Sequence, residues 1–360
     1  MATDLFGAYI HVPFCSKRCD YCAFATFTDR HYLAAEYMQA VRTHIERTVA
    51  NGMPEVDSIF VGGGTPSMVP GELLAEVIDA IPRSASAEVT VECNPDNVTA
   101  ELLRTYTDAG VNRISLGVQS TAPHVLAALG REHDRENVVR AVELVKASGV
   151  RSFNLDIIYG GAGETVADWR TTVEDVVALD PPHVSAYALT VEPGTPLAED
   201  HSRHPDDDDQ ATKYELVDDL LVEHGLVNYE ISNWSKPGHE CLHNRIYWLQ
   251  GDYEAFGSAA HGHRRGQRWW NVRTPDRYIE MVTKGEEPVS SSEQLDDETR
   301  RLEELQLLIR MREGVPVGSF SAQDHEELAP FLFRNGDRML LTRAGRLMAN
   351  EVSLRLHIAD

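Results

Sequence analysis

Residues 7–22 read Gly-Ala-Tyr-Ile-His-Val-Pro-Phe-Cys-Ser-Lys-Arg-Cys-Asp-Tyr-Cys. Gly7–Val12 is a short apolar strand, and Pro13 stops it because proline has no amide hydrogen for a ladder. A loop with three cysteines follows, then a helical stretch, His31–Ala50. The same unit recurs along the chain. Strands are expected at Ser58–Val61, Glu88–Glu92, Arg113–Val118, Phe153–Ile158 and Val184–Leu189. Helices are expected near Glu72–Ala80, Ala100–Ala109, Arg135–Ser148, Thr165–Ala178 and Gln210–His224. Strand, crossover helix and next strand form the pattern of a parallel sheet covered by helices. Six units suit an α/β fold, a partial (β/α)6 barrel related to the eight-unit TIM barrel. The strands are rich in Val and Ile and read with little polar alternation, as when both faces are covered.

Polar residues collect in one place. Gly62–Thr65, Glu92, Gln119 and Asp156 fall at or near the C-terminal ends of strands two to five, the end where parallel barrels carry active sites. Alone, Glu92 reads equally as a cap or surface ion pair, and the glycine triplet Gly62–Gly64 as a tight turn. Together, at equivalent positions, they point to a shared pocket.

Beyond residue 226 the pattern breaks. Asn228–Trp234, His243–Trp248 and a glycine- and aromatic-rich stretch to Asn271 read as irregular structure lying against the barrel, and Glu286–Asp297 as a polar linker. In the tail, Leu302–Arg312 is an amphipathic helix. Phe331–Phe333 and Met339–Leu341 flank the hairpin signal Asn335-Gly336, and Arg343–Leu354 reads as a helix. The expected organisation is a core over 1–225, an extension over 226–285, and a small winged-helix-like α+β domain over 286–360.

The chain has 360 residues, 33 Lys and Arg against 57 Asp and Glu, and a net charge of −24. That balance argues against nucleic acid as a partner, since phosphate binding needs a basic surface. No apolar run approaches the roughly 20 residues of a membrane span. The first residues lack a basic and an apolar signal region, so a cytoplasmic location is expected. The acidic run Asp206–Asp209 reads as a solvated loop or a helix start, without the spaced ligands of a calcium loop.

Five cysteines are present. Cys15, Cys19 and Cys22, spaced C-x3-C-x2-C, can wrap an iron–sulfur cluster. Three thiolates on a four-iron cluster leave one iron open, which the amino and carboxylate groups of S-adenosylmethionine can chelate. Radical chemistry is then the cofactor's, and the protein supplies orientation. Zinc is the other reading: a structural site wants four ligands, and His11 could complete one. A disulfide would leave one cysteine over. Cys93 and Cys241 are isolated and read as buried small hydrophobes.

These motifs resemble the radical S-adenosylmethionine superfamily. Within it they resemble the branch that contains oxygen-independent coproporphyrinogen III dehydrogenase (HemN) and the haem chaperone HemW. The resemblance rests on Tyr9-Ile-His-Val-Pro-Phe-Cys15, Phe60-Val-Gly-Gly-Gly-Thr-Pro-Ser67, Val91-Glu-Cys-Asn-Pro95, Gly110–Ser120, Asn154-Leu-Asp-Ile-Ile-Tyr-Gly160 and Ser185-Ala-Tyr-Ala-Leu-Thr190, and it covers essentially the whole chain. It implies a [4Fe–4S] cluster on Cys15, Cys19 and Cys22. S-adenosylmethionine would lie against Tyr9, Gly63, Gly64, Thr65, Glu92, Gln119, Arg131, Asp156 and Thr190, with Arg131 facing the carboxylate and Asp156 the ribose. It assigns no catalytic residue.

Two features favour the HemW side. Phe24 stands where the dehydrogenase pattern has a fourth cysteine, and Cys15 lies almost at the start of the chain. His243-Asn-Arg-Ile-Tyr247-Trp248 matches an H-N-x-x-Y-W motif associated with haem; His243 could instead hydrogen-bond inside an aromatic cluster. His261 and His263 are further candidates. The implied function is haem chaperoning, with haem, recipient haemoproteins and an electron donor as partners, and membrane contact through recipients. The alternative is the dehydrogenase of porphyrin biosynthesis. One departure is Tyr159-Gly-Gly-Ala-Gly163, where the family reads Tyr-Gly-Leu-Pro-Gly; losing proline loosens that loop.

Overall fold

The computed structural model describes residues 5–359. The first units are β1 (Phe6–Val12), α1 (Ala34–Ala50), β2 (Val56–Gly63), α2 (Gly71–Asp79), β3 (Arg83–Cys93), α3 (Ala100–Asp108) and β4 (Arg113–Gln119). Two helices, α4 (Pro123–Ala128) and α5 (Arg135–Ala147), make the next crossover. Then come β5 (Ser152–Tyr159), α6 (Val166–Ala178) and β6 (His183–Ala188). β1 to β6 pair in chain order, every pair parallel. All six expected strands and their crossover helices are present.

One expectation needs correcting. The strands do alternate. Ala8, Ile10, Val12, Ile59, Val61, Val89, Val91, Ile114, Leu116, Leu155, Ile157 and Val184 are buried in the main hydrophobic core. The intervening positions are mostly polar: Tyr9, His11, Ser58, Glu88, Thr90, Glu92, Arg113, Ser115, Asn154, Asp156, His183 and Ser185. Successive side chains of a strand point to opposite faces. One face therefore packs on helices, and the other carries hydrogen-bonding side chains. The register sets these in rows, with Glu92 beside Ser115, Ser115 beside Asn154 and Asn154 beside His183.

After β6 come α7 (Pro196–Glu199) and α8 (Asp207–Glu223). The Asp206 carboxylate caps α8, accepting the Asp209 amide at 2.9 Å. The acidic run is thus a helix start, where negative charge suits the dipole. β7 (Val227–Glu230) and β8 (Asn233–Ser235) add to the β6 edge, antiparallel. α9 (Leu242–Trp248) crosses to the other edge, where β9 (Asp252–Phe256) pairs parallel with β1. β10 (His261–Arg264), β11 (Gln267–Asn271), α10 (Pro275–Thr283) and β12 (Val289–Gln294) follow.

The stretch expected to be irregular is therefore mostly sheet, in strands of three to five residues that are too short to show a period. The expected linker contains an edge strand: β12 is exposed along its length and held to β11 by main-chain pairing and by the Arg268–Glu293 ion pair at 2.8 Å. Among the described residues the sheet is open, with β12 and β7 at its edges.

The tail has its own core, including Leu305, Ile309, Phe320, Leu332, Met339 and Val352. Its elements are α11 (Asp297–Leu308), β13 (Val315–Pro316), α12 (Ala322–Glu327), β14 (Leu332–Asn335), β15 (Arg338–Leu341), α13 (Arg343–Leu347) and α14 (Ala349–Leu354). The hairpin turns at Gly336, whose φ of +61° suits glycine. The last expected helix is broken at Met348. No described helix is long and apolar enough to cross a membrane.

Candidate functional site

The cysteine loop leaves β1 at Pro13 and is already ordered. Phe27 donates its amide to Pro13 at 2.7 Å and Cys15 donates to Phe27 at 3.2 Å. The glycine triplet anchors it from the other side: the Gly64 amide donates to Val12 and the Thr65 amide to Phe14, both at 2.8 Å. A Cβ on Gly64 would sit 2.6 Å from the Phe14 carbonyl oxygen. Gly63 has φ +113°, and a Cβ there would sit 2.5 Å from the His11 ring. Gly64 is thus required by the docking of the cysteine loop, quite apart from any ligand. The Gly63 amide is engaged as well, donating to Glu92 Oε2 at 3.2 Å.

His11 is not available to a metal. Its Nε2–H donates to Ala25 at 3.0 Å and its Nδ1 accepts from the Tyr9 hydroxyl at 3.1 Å; burial holds the ring neutral. The three loop cysteines are free thiols, each partly buried. Among the described residues no three Cys, His, Asp or Glu side chains are grouped to hold a single metal ion. Two of the sulfurs have donors. Thr65 Oγ1 donates to Cys15 Sγ and Arg131 Nη1 to Cys19 Sγ, both at 3.6 Å.

Arg131 ties this loop to the strand ends. Its Nη2 donates to Asn94 Oδ1 and to the Gly117 carbonyl, both at 3.0 Å. A Cβ on Gly117 would lie 2.9 Å from both Arg131 Nη2 and Gln119 Nε2, so glycine leaves room where these groups converge. Gln119 has φ +64°, a left-handed conformation that is uncommon for a non-glycine residue. Two buried polar atoms here have no partner: Arg131 Nε, a donor, and Gln119 Oε1, an acceptor.

Further across the polar face, Ser115 donates to Asp156 Oδ2 and Asn154 to Asp156 Oδ1, both at 2.8 Å. His183 Nδ1 donates to Asn154 Oδ1 at 2.6 Å, and Tyr229 donates to His183 Nε2 at 2.8 Å. Burial raises the Asp156 carboxyl. Burial and the charge of Asp156 push Glu92 up to about 7. Thr190 lies beyond the end of β6, exposed, its hydroxyl bonded to the Ala188 carbonyl.

Sequence reasoning missed Asn94, Ser115, Asn154 and His183. The signal was the period-2 polar face, hidden because each polar residue stands alone among Val, Ile and Leu. The loop lacking proline is pinned by buried charge. The Gly160 amide donates to Glu164 Oε2 at 2.8 Å, and the fully buried Lys213 pairs with Glu164 at 3.0 Å.

α9 places the aromatic motif against β1 and β2. His243 is fully buried. Its Nδ1 bonds Ser58 Oγ at 2.9 Å and its Nε2 bonds the Tyr247 hydroxyl at 2.7 Å. It stacks on Phe60, with ring centroids 5.3 Å apart, and burial pushes its pKa down to about 3. Trp248 turns the other way, under the Arg310 guanidinium of the tail. His263 is buried and bonded to the Gly251 carbonyl; His261 stacks on Trp270 at the surface. Phe24 is 67 % exposed.

The family description "Radical SAM superfamily" matches residues 9–176. Curated relatives named "Heme chaperone HemW" match almost throughout. One from Mycobacterium tuberculosis is 40% identical over 364 aligned residues, covering 96% of this chain and 93% of the relative. One from Escherichia coli is 34% identical, covering 98% of each. One from Bacillus subtilis is 33% identical, covering 96% and 97%. Among solved structures, the coproporphyrinogen III oxidase HemN of Escherichia coli superposes with a TM-score of 0.85 at 19% identity, covering 97% of this chain and 89% of that one. That match shows the shared fold. Identity of this extent over nearly full length places the chain in the radical SAM superfamily and, within it, in the HemW family.

Proposed function

We propose that this chain is a haem chaperone of the HemW type. It holds a [4Fe–4S] cluster on Cys15, Cys19 and Cys22, binds S-adenosylmethionine beside it, and passes haem to recipient haemoproteins. Membership of the superfamily implies the cluster and S-adenosylmethionine; the family's name supplies haem. The donor set fits a cluster: three thiols, with His11 committed elsewhere. The cluster, when bound, supplies one-electron chemistry at an iron that lacks a protein ligand.

The observation that carries the ligand reading is the unpaired couple Arg131 Nε and Gln119 Oε1. One lacks an acceptor and the other a donor, and buried polar groups are costly when unpaired. A zwitterionic amino acid end, with its carboxylate and ammonium, satisfies both. Asp156, held by Ser115 and Asn154, suits a ribose diol, and Tyr9, Gly63, Gly64, Thr65, Glu92 and Thr190 complete the proposed contacts. A haem role for His243 would require that ring to give up Ser58 or Tyr247, so α9 must shift before His243, Tyr247 and Trp248 could meet a porphyrin.

The dehydrogenase reading has the shared fold in its favour, and Phe24 against it. One pair of assays decides. Haem-loaded protein should transfer haem to an apo-haemoprotein and should form no protoporphyrinogen IX from coproporphyrinogen III under reducing, anaerobic conditions. Formation of protoporphyrinogen IX without haem transfer would overturn the chaperone reading.

A further inference from the structure

The polar face of the sheet continues below the contacts proposed for S-adenosylmethionine. Arg113 opens β4 two residues before Ser115, so its side chain stands on the same face. The rise of a strand puts it about 7 Å nearer the N-terminal end. Arg113 is 2 % exposed. A guanidinium is always charged and has donors only, and a buried charge is normally paired. This one is not. Among the described residues Arg113 forms no ion pair, and its Nε has no acceptor.

The carboxylates that face Arg113 are engaged elsewhere. They are Glu88 and Asp156, with the Tyr229 hydroxyl and the Cys241 thiol beside them. Glu88 Oε1 accepts the Leu242 amide at 2.9 Å, the His243 amide at 3.4 Å and the Cys241 thiol at 3.5 Å, all at the start of α9. Asp156 gives one oxygen to Ser115 and the other to Asn154. The guanidinium is left over. A second unpaired group adjoins it: Thr90 pairs with Arg113 across β3 and β4, is fully buried, and its hydroxyl has no partner. Neighbouring strands lie about 4.8 Å apart, so a single acceptor can meet both donors.

The charge decides what that acceptor is. A water accepts both bonds but leaves the guanidinium unbalanced; an anion supplies the acceptor and the charge together. We infer that Arg113 and Thr90 form an anion site at the base of the polar face, built for a monovalent carboxylate. The carboxylate is either a free ion of formate size or the arm of a larger molecule lying on the face. The site is distinct from Arg131, which reaches the other end of β4 at the Gly117 carbonyl. It does not rest on the haem-chaperone reading.

The test follows melting of the full-length protein, purified without air, against sodium formate. Arg113→Met, checked for folding by circular dichroism, reports the general effect of salt. Wild type should gain stability beyond that variant, and the gain should saturate. Thr90→Val keeps the shape of the side chain and loses the donor, so the half-saturating formate concentration should rise about tenfold. A merely structural Arg113 would lower the melting temperature equally at every formate concentration. Butyrate in place of formate separates the two sources: a response equal to that of formate identifies a carboxylate arm, and none identifies a free small ion. Crystals soaked in bromide should show anomalous scattering beside Arg113 Nε and Thr90 Oγ1, which stays readable if Arg113→Met does not fold. Parallel formate curves for wild type and Arg113→Met, or ordered water with no bromide between Arg113 and Thr90, overturn the inference.

Discussion

Glu92 offers a test in which stability and function oppose each other. Its carboxyl lies beside Asp156 on the polar face and receives only the Gly63 amide, so its pKa moves from an ordinary 4.5 to about 7. A tenfold change in proton affinity corresponds to about 1.4 kcal/mol, so full ionisation would cost the fold about 3 kcal/mol, or about 1–2 once screening at a half-buried site is allowed for. The sign is fixed by linkage. The folded-state value lies above the unfolded one, so the native state holds the extra proton between pH 4.5 and 7. Stability is therefore lost as pH rises through that window.

Glu92→Gln keeps an oxygen for the Gly63 amide and removes the titration. Its stability advantage over wild type should grow by about 1 kcal/mol between pH 5.5 and pH 8. That widens the gap in melting temperature by about 1–2 °C at this chain size. Comparing two pH values cancels any constant effect of the amide. The same variant should bind S-adenosylmethionine more weakly, a common exchange of stability against function. A melting gap that stays constant or narrows as pH rises refutes the reasoning.

Other outcomes follow from the same geometry. Arg131→Gln removes the donor to Cys19 and the unpaired Nε. S-adenosylmethionine affinity measured by calorimetry should fall about 10- to 100-fold, the worth of a charge-assisted hydrogen bond, and the reduced cluster should have a more negative potential because hydrogen bonds to sulfur raise it. Gly64→Ala drives a Cβ against the Phe14 carbonyl, so iron content after reconstitution should drop although every cysteine remains. Lys213→Met leaves Glu164 buried and unpaired, and denaturant unfolding should show a loss of about 3–5 kcal/mol.

The parallel α/β core was legible because each unit repeats strand and helix at a regular interval, and the cysteine motif because three thiols in eight residues admit few readings. The polar face was not legible as a face. Ser115 and Asn154 each stand singly between apolar neighbours, and only the parallel register sets Glu92, Ser115, Asn154 and His183 in one row. The edge strand β12 escaped notice because it exposes every side chain it has and so shows no apolar period. The glycine triplet was read for its ligand, whereas Gly64 answers first to the Phe14 carbonyl. Arg131 was placed by family resemblance, and its contact with Cys19 could come only from coordinates, since 112 residues separate the two.

The most direct test of the account is electron paramagnetic resonance of the anaerobically reconstituted, reduced protein with and without S-adenosylmethionine, alongside metal analysis. The account predicts about four irons per chain, a cluster signal that changes when S-adenosylmethionine is added, and loss of that signal in Cys15→Ser, Cys19→Ser and Cys22→Ser. A stoichiometric zinc site with no iron, or a cluster signal indifferent to S-adenosylmethionine, would contradict it.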